Sequence, residues 1–499
     1  MNILEAKKEI KNTITLYLDK DENGHYRVPV VRQRPIFLLG APGIGKTAIM
    51  EQIAEEMDIA LISYSMTHHT RQSAIGLPYL ADREFEGKQY TVSEYTMSEI
   101  IASIYEVMKT SGKREGILFL DEINCVSETL APSMLLFLQY KRFGNEQVPE
   151  GWVIVTAGNP PQYNKSVKEF DVATMDRLKY LVVEENLSVW KQYAMTVGIH
   201  PAIMAFLETK PDAFYQVQAS VQGNQYVTAR GWEDLSTMLR GYERLNFEVT
   251  ASLILQYITV PDIARDFKVY YELFNKYKKQ YLIQDILNGS MAKDMIKNAS
   301  KAQFDERLAL VANINDAICA VLRDCIREEM VLQKLAEVLR KVKTGVNDKN
   351  VINKINENRN TLLELFQQRR VSGNLGRDEQ WVFESVDSCL DAYVTQCSQK
   401  ENRKFDGIKK TFGNRVDKHE KCVQNASEKL KNGFEFIRAC WGEEYEMVLY
   451  TGGLTMNKYA SRFIAQWGSP DYYKYNRELL VYDRDVVLKK EIQKLFERE

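Results

Sequence analysis

The chain has 499 residues, 45% apolar and 27% charged, with 66 Lys and Arg against 68 Asp and Glu. At roughly 150 residues per domain this length predicts about three domains, and the aliphatic and aromatic content excludes a mainly disordered chain. A formal charge of −2 provides no overall basic footprint for nucleic acid, although a local basic stripe is left open.

Residues 1–12 carry three Lys and two Glu and no apolar core, so they do not read as a signal peptide. No run approaches the roughly 20 apolar residues of a membrane helix, and membrane insertion is not expected. The seven Cys are scattered without a C-x-x-C pair. That fits buried or idle thiols in a reducing compartment better than a disulfide or zinc framework, and the expected location is the cytoplasm.

In chain order, Pro35 to Leu39 reads as a buried strand, followed by a Gly-rich turn and a helix from Lys46 to Met57. Further strands are predicted at Ala60 to Tyr64, Gly116 to Leu120, Trp152 to Ala157 and Leu181 to Val183. Apolar strands broken by helices predict a parallel sheet covered on both faces, an α/β domain over residues 1–186. From 187 to 257 the strand signal gives way to helices. Between Phe304 and Val342 apolar residues recur at helical spacing along one face, within a predicted bundle spanning 258–433. The remainder, 434–499, is richer in aromatics and predicts a small unit that packs back.

Gly40-Ala41-Pro42-Gly43-Ile44-Gly45-Lys46-Thr47 is a complete G-x-x-x-x-G-K-[ST] loop between a strand and a helix. Its glycines let successive N–H groups face one cavity, and the following helix adds its positive end. Lys46 would reach the β- and γ-phosphates, and the Thr47 hydroxyl would complete a Mg²⁺ shell. The expected nucleotide-binding set runs from Gly40 through Ala48 and adds Asp121, with Thr47 and Asp121 at the metal. Asp121 and Glu122 end the apolar strand at 116–120, where Glu122 would polarise the attacking water. At the end of Val153 to Gly158, Asn159 is a candidate to hold that water or touch the γ-phosphate, or else a turn-former before Pro160-Pro161.

Taken together, Gly-Ala-Pro-Gly-Ile-Gly-Lys-Thr, Leu-Phe-Leu-Asp-Glu-Ile-Asn, Val-Pro-Glu-Gly-Trp, Thr-Ala-Gly-Asn-Pro-Pro and Met-Asp-Arg-Leu resemble, in that order, the MoxR-like branch of the AAA+ ATPases. That branch lies near the dynein-related group, and the resemblance covers roughly the first 245 residues. It implies ATP and Mg²⁺ as cofactors, an AAA+ module with a helical lid over 187–257, and hydrolysis in a homo-oligomeric ring, commonly a hexamer. The work would be remodelling of protein partners, among them a protein with a von Willebrand factor A domain. Within the resemblance Lys46 and Thr47 belong to Walker A, Asp121 and Glu122 to Walker B, and Asn159 to sensor 1. Arg177 matches the arginine finger and Arg230 sensor 2. The plainer alternatives are a surface ion pair for Arg177 and a neighbour of a helix cap for Arg230. An insert in the second helix is expected near residues 75–95. There Tyr79 and Phe85 would grip a partner polypeptide or simply pack the hairpin.

His68-His69 lack a third ligand near in sequence and read as ordinary polar residues. A competing function is a nucleic-acid motor or the NTPase subunit of a restriction or defence system. The near-neutral composition favours the protein-remodelling reading. A scaffold that binds nucleotide without turnover would need neither Glu122 nor Arg177. No Asn-Lys-x-Asp segment is present, which removes a Ras-like reading.

Overall fold

The computed structural model describes residues 1–143, 146–163, 167–220, 223–343, 350–371, 376–398 and 405–477. The chain divides into two compact units, one formed by 1–189 with 360–383 and the other by 190–359 with 384–499.

The first unit is built on five parallel strands, β1 (Ile36–Gly40), β2 (Ala60–Ser65), β5 (Gly116–Asp121), β8 (Trp152–Gly158) and β9 (Lys179–Val183). Their order is β2-β5-β8-β1-β9. All five predicted strands are present, within a residue or two of the expected ends. β5 and β8 are buried along almost their whole length, as central strands covered on both faces must be. The register pairs Ala60 with Gly116 and Ser65 with Asp121, and Leu39 with Gly158. The carboxyl ends of β1, β2, β5 and β8 therefore finish side by side. In open parallel sheets that edge is where ligands bind.

The first helix, Ile3–Leu18, starts with a capping box in which the Asn2 side chain accepts from the Leu4 and Glu5 amides and Glu5 reaches back to Asn2. It lies against the helix Lys46–Met57, where Lys7 and Lys11 both pair with Glu56. The helix Glu99–Ser111 buries Ile100, Ile101, Ile104 and Val107 in the core with Leu118, Leu120 and Ile154.

Between the short helix Arg71–Ile75 and Glu99–Ser111 stands the expected insert, a hairpin of β3 (Pro78–Phe85) and β4 (Lys88–Tyr95). Its two-residue turn, Glu86-Gly87, has positive φ at both positions, which matches the twist of the paired strands. Two further ladders are short: β6 (Arg142–Phe143) with β7 (Glu146–Gln147) in this unit, and β10 (Gln216–Ser220) with β11 (Gly223–Val227) in the second.

The second unit is otherwise helical. Phe304–Lys343 is one helix of 40 residues, about 60 Å at 1.5 Å per residue. Its surroundings differ from the single apolar stripe read from sequence. Leu308, Ala309, Leu310 and Val311 are buried consecutively, so the helix is enclosed on several sides. Pro201–Thr209, Pro261–Gln280, Phe405–Trp441, Tyr445–Met456 and Lys458–Trp467 all pack on it, and a central helix cannot keep one solvent face. Residues 433 and 434 lie inside the continuous helix Phe405–Trp441, and Phe434, Tyr450, Phe463 and Tyr472 share one core with Ile314, Ile318 and Leu322.

Candidate nucleotide site

The loop after β1 turns into the helix Lys46–Met57 through Gly43 at φ +74° and Gly45 at φ +98°. Both angles lie in the left-handed region, where a side chain would be strained, so glycine at these two positions is what the turn requires. Lys46 is buried, and a buried ammonium must be paired. Its Nζ donates to the Gly40 carbonyl at 2.7 Å, the Ala41 carbonyl at 2.8 Å and Asn159 Oδ1 at 2.9 Å. Phosphate oxygens would compete with these acceptors for the same N–H groups. Pro42, Ile44 and Ala48 complete the expected binding set in the loop and first helical turn.

Thr47 Oγ1 donates to Asp121 Oδ2 at 2.9 Å. Hydroxyl and carboxylate are both hard oxygen donors. Magnesium keeps several waters and takes one or two protein oxygens beside substrate phosphates, so this pair fits it. Among the described residues no group of three or more His, Cys, Asp or Glu could hold a metal. His69 instead faces Tyr64 edge-on and contacts Ser73 Oγ.

Glu122 follows Asp121 at φ +55°, and its amide donates to Asp121 Oδ1 at 2.9 Å. This left-handed turn redirects the second carboxylate away from the first. Glu122 Oε2 accepts from Ser65 Oγ and Thr67 Oγ1, each at 3.0 Å. The pairing of Ser65 with Asp121 brings these hydroxyls within reach. Sequence reasoning missed both residues, which lie 55 and more positions earlier. Their only sequence signal is a run of hydroxyls at the carboxyl end of a predicted strand.

Asn124 was also missed. It is buried, and its Nδ2 donates to the Asn159 carbonyl at 2.8 Å. A Cβ on Gly158 would lie 2.5 Å from Asn124 Oδ1, so the absence of a side chain there makes this contact possible. Asn124 thus ties the turn after β5 to the tip of β8 and holds the Asn159 backbone, while Lys46 holds its side chain.

The structure brings Lys46, Thr47, Asp121, Glu122 and Asn159 together. Arg177 is not among them. It is exposed after the helix Val172–Met175, and its Nη1 donates to the Ala173 carbonyl at 2.9 Å. Leu136 and Val172 are exposed in the same unit, and Arg177 lines a shallow hollow with Pro132, Leu136 and Gln139. Arg230 belongs to the second unit, exposed in the first turn of the helix Ala229–Leu245, whose N-terminus is capped by Thr228 Oγ1 on the Gly231 amide. On the hairpin, Tyr79 is exposed and its hydroxyl donates to Glu94, so it does not pack inward. The Phe85 side chain lies outside the described residues.

Residues 35–178 match the AAA domain (dynein-related subfamily). No curated protein matches the chain. Among solved structures, the FIGL-1 AAA domain in complex with ADP is 18% identical, over 47% of this chain and 69% of that one, with a TM-score of 0.28. A mutant of Thermotoga maritima RuvB is 13% identical, over 51% and 70%, with a TM-score of 0.27. Likenesses at these scores add nothing to the assignment. The parallel sheet, the phosphate-type loop at its carboxyl edge and the match over 35–178 agree that the first unit is built around an AAA+ P-loop module.

Proposed function

We propose that this chain is a Mg²⁺-dependent ATPase of the MoxR-like AAA+ type. In this reading it works in the cytoplasm as a homo-oligomeric ring, commonly hexameric, and remodels or matures protein partners, one of them carrying a von Willebrand factor A domain. The observation that carries the reading is the convergence of Lys46, Thr47, Asp121, Glu122 and Asn159 at one edge of the sheet. A structural turn needs no buried lysine held against loop carbonyls and a strand-tip amide.

Bound ATP would draw the Lys46 ammonium from the loop carbonyls to phosphate oxygens, and the amides from Gly43 to Thr47 would cradle the phosphates. Thr47 and Asp121 would hold magnesium, which when bound neutralises phosphate charge. Glu122 accepts a proton from the attacking water once its carboxylate leaves the Ser65 and Thr67 hydroxyls. Asn159, positioned by Asn124, orients that water. Arg177, exposed and without an ion pair among the described residues, would serve an adjacent protomer, and Arg230 would supply a second cation.

Calorimetry with ATP tests the reading. Wild-type protein is expected to bind and release phosphate, and Lys46→Ala to lose binding. Absence of heat from folded wild-type protein at millimolar ATP overturns it. A mass measurement with and without ATP tests the ring.

A further inference from the structure

We infer that Cys325 and Cys422 form an oxidisable dithiol, a covalent modification site that a hydroperoxide converts to a disulfide joining the two long helices of the second unit. The two Sγ atoms lie 3.4 Å apart, Cys325 on Phe304–Lys343 and Cys422 on Phe405–Trp441. All seven cysteines are free thiols. Cys325 lies 18 residues before the end of its helix and Cys422 17 residues after the start of its own, so the pair sits at matched depth in an antiparallel pairing. The close approach of Gly433 to Ile314, eleven residues away along each helix in opposite directions, keeps the same register.

The two thiols are unequal. Cys422 is exposed, whereas Cys325 is fully buried, and burial pushes its thiol pKa up. An oxidant therefore meets Cys422 first. Its sulfur attacks the peroxide O–O bond. An S–O bond forms, the O–O bond breaks, the sulfur loses two electrons, and the thiol proton leaves with the departing oxygen, as water from hydrogen peroxide or as the alcohol from an organic hydroperoxide. Cys325 then attacks the Cys422 sulfenic sulfur. The S–S bond forms, the S–O bond breaks, and the Cys325 proton leaves with the hydroxyl as water. A bond of about 2.05 Å asks the sulfurs to close by roughly 1.4 Å, within reach of a side-chain rotation at exposed Cys422. The bridge closes a loop that contains the helices Val351–Val371 and Arg377–Ser398, so oxidation also constrains the unfolded chain.

The test uses the full chain treated with hydrogen peroxide, blocked with N-ethylmaleimide and digested with trypsin without reductant. Cleavage after Arg323, Arg327, Lys421 and Lys429 leaves peptides 324–327 and 422–429 with one cysteine each, so a linkage is unambiguous. The expected product is these two peptides joined and two hydrogens lighter than their sum, reversed by dithiothreitol, with a raised thermal midpoint for the oxidised protein. Cys422→Ser, at an exposed position, is expected to fold, lose the product and lose the midpoint shift. Accumulation of Cys422 sulfinic acid with Cys325 still a thiol overturns the proposal. So does pairing of Cys422 with any other cysteine or with a second chain.

Discussion

Glu122 illustrates how one residue's backbone sets its chemistry. Its positive φ separates its carboxylate from that of Asp121, and the hydroxyls of Ser65 and Thr67 hold it. Glu122→Gln keeps the shape and loses the base. Phosphate release is expected to fall about 10²–10⁴-fold while ATP binding survives, measured by single-turnover hydrolysis beside calorimetry. In the second unit His200 caps the helix Pro201–Thr209, its Nδ1 accepting from the Ala202 amide. Its Nε2 therefore carries the proton and donates to Glu243, so the ring is neutral. Burial lowers the His200 pKa more than Glu243 raises it. A His with a folded pKa below its unfolded value stabilises the fold above the unfolded pKa of about 6.5, and that stability is lost as pH falls, at up to about 1.4 kcal/mol per unit. Urea midpoints of wild type should drop from pH 7.5 to pH 5.0, and His200→Asn, which can still cap, should flatten that dependence.

Among the elements, the helix Phe405–Trp441 shows why a glycine can sit in a helix interior. A Cβ on Gly433 would lie 2.2 Å from the Tyr450 hydroxyl, which is buried without a hydrogen-bond partner among the described residues. Gly433→Ala should gain helix propensity of about 1 kcal/mol and lose more to the clash, for a net destabilisation of about 1–3 kcal/mol by denaturant titration. Tyr450→Phe removes the clashing atom together with an unsatisfied polar group. It should be neutral or stabilising alone, and combined with Gly433→Ala it should restore most of the loss. Failure of that rescue would place the steric conflict elsewhere. The β3–β4 hairpin makes a different point. Its alternating sequence was legible, yet β4 is exposed along nearly its whole length, so alternation there does not mark a core face.

For the whole molecule, the arginine roles make an assembly-level prediction. If Arg177 completes a neighbour's site, Arg177→Ala should bind ATP and lose turnover. Mixing it with Glu122→Gln subunits should then recover activity, because some mixed interfaces pair an intact Glu122 with an intact Arg177. Activity that stays at the sum of the separate variants would assign Arg177 a role within its own chain.

Legibility followed sequence distance. The loop from Gly40 to Thr47, the acid pair and the five strands are contiguous patterns whose period or spacing is imposed by local backbone geometry, so reading along the chain recovers them. Ser65, Thr67 and Asn124 act on residues that strand pairing and tight packing bring beside them, and no local period encodes such neighbours. The enclosure of Phe304–Lys343 is of the same kind. Helical spacing names residues able to face a core, but how many faces are covered depends on which distant helices arrive, as Pro201–Thr209 and Lys458–Trp467 do here. The meeting of Cys325 and Cys422 across 97 positions likewise follows from antiparallel packing, which scattered cysteines cannot announce.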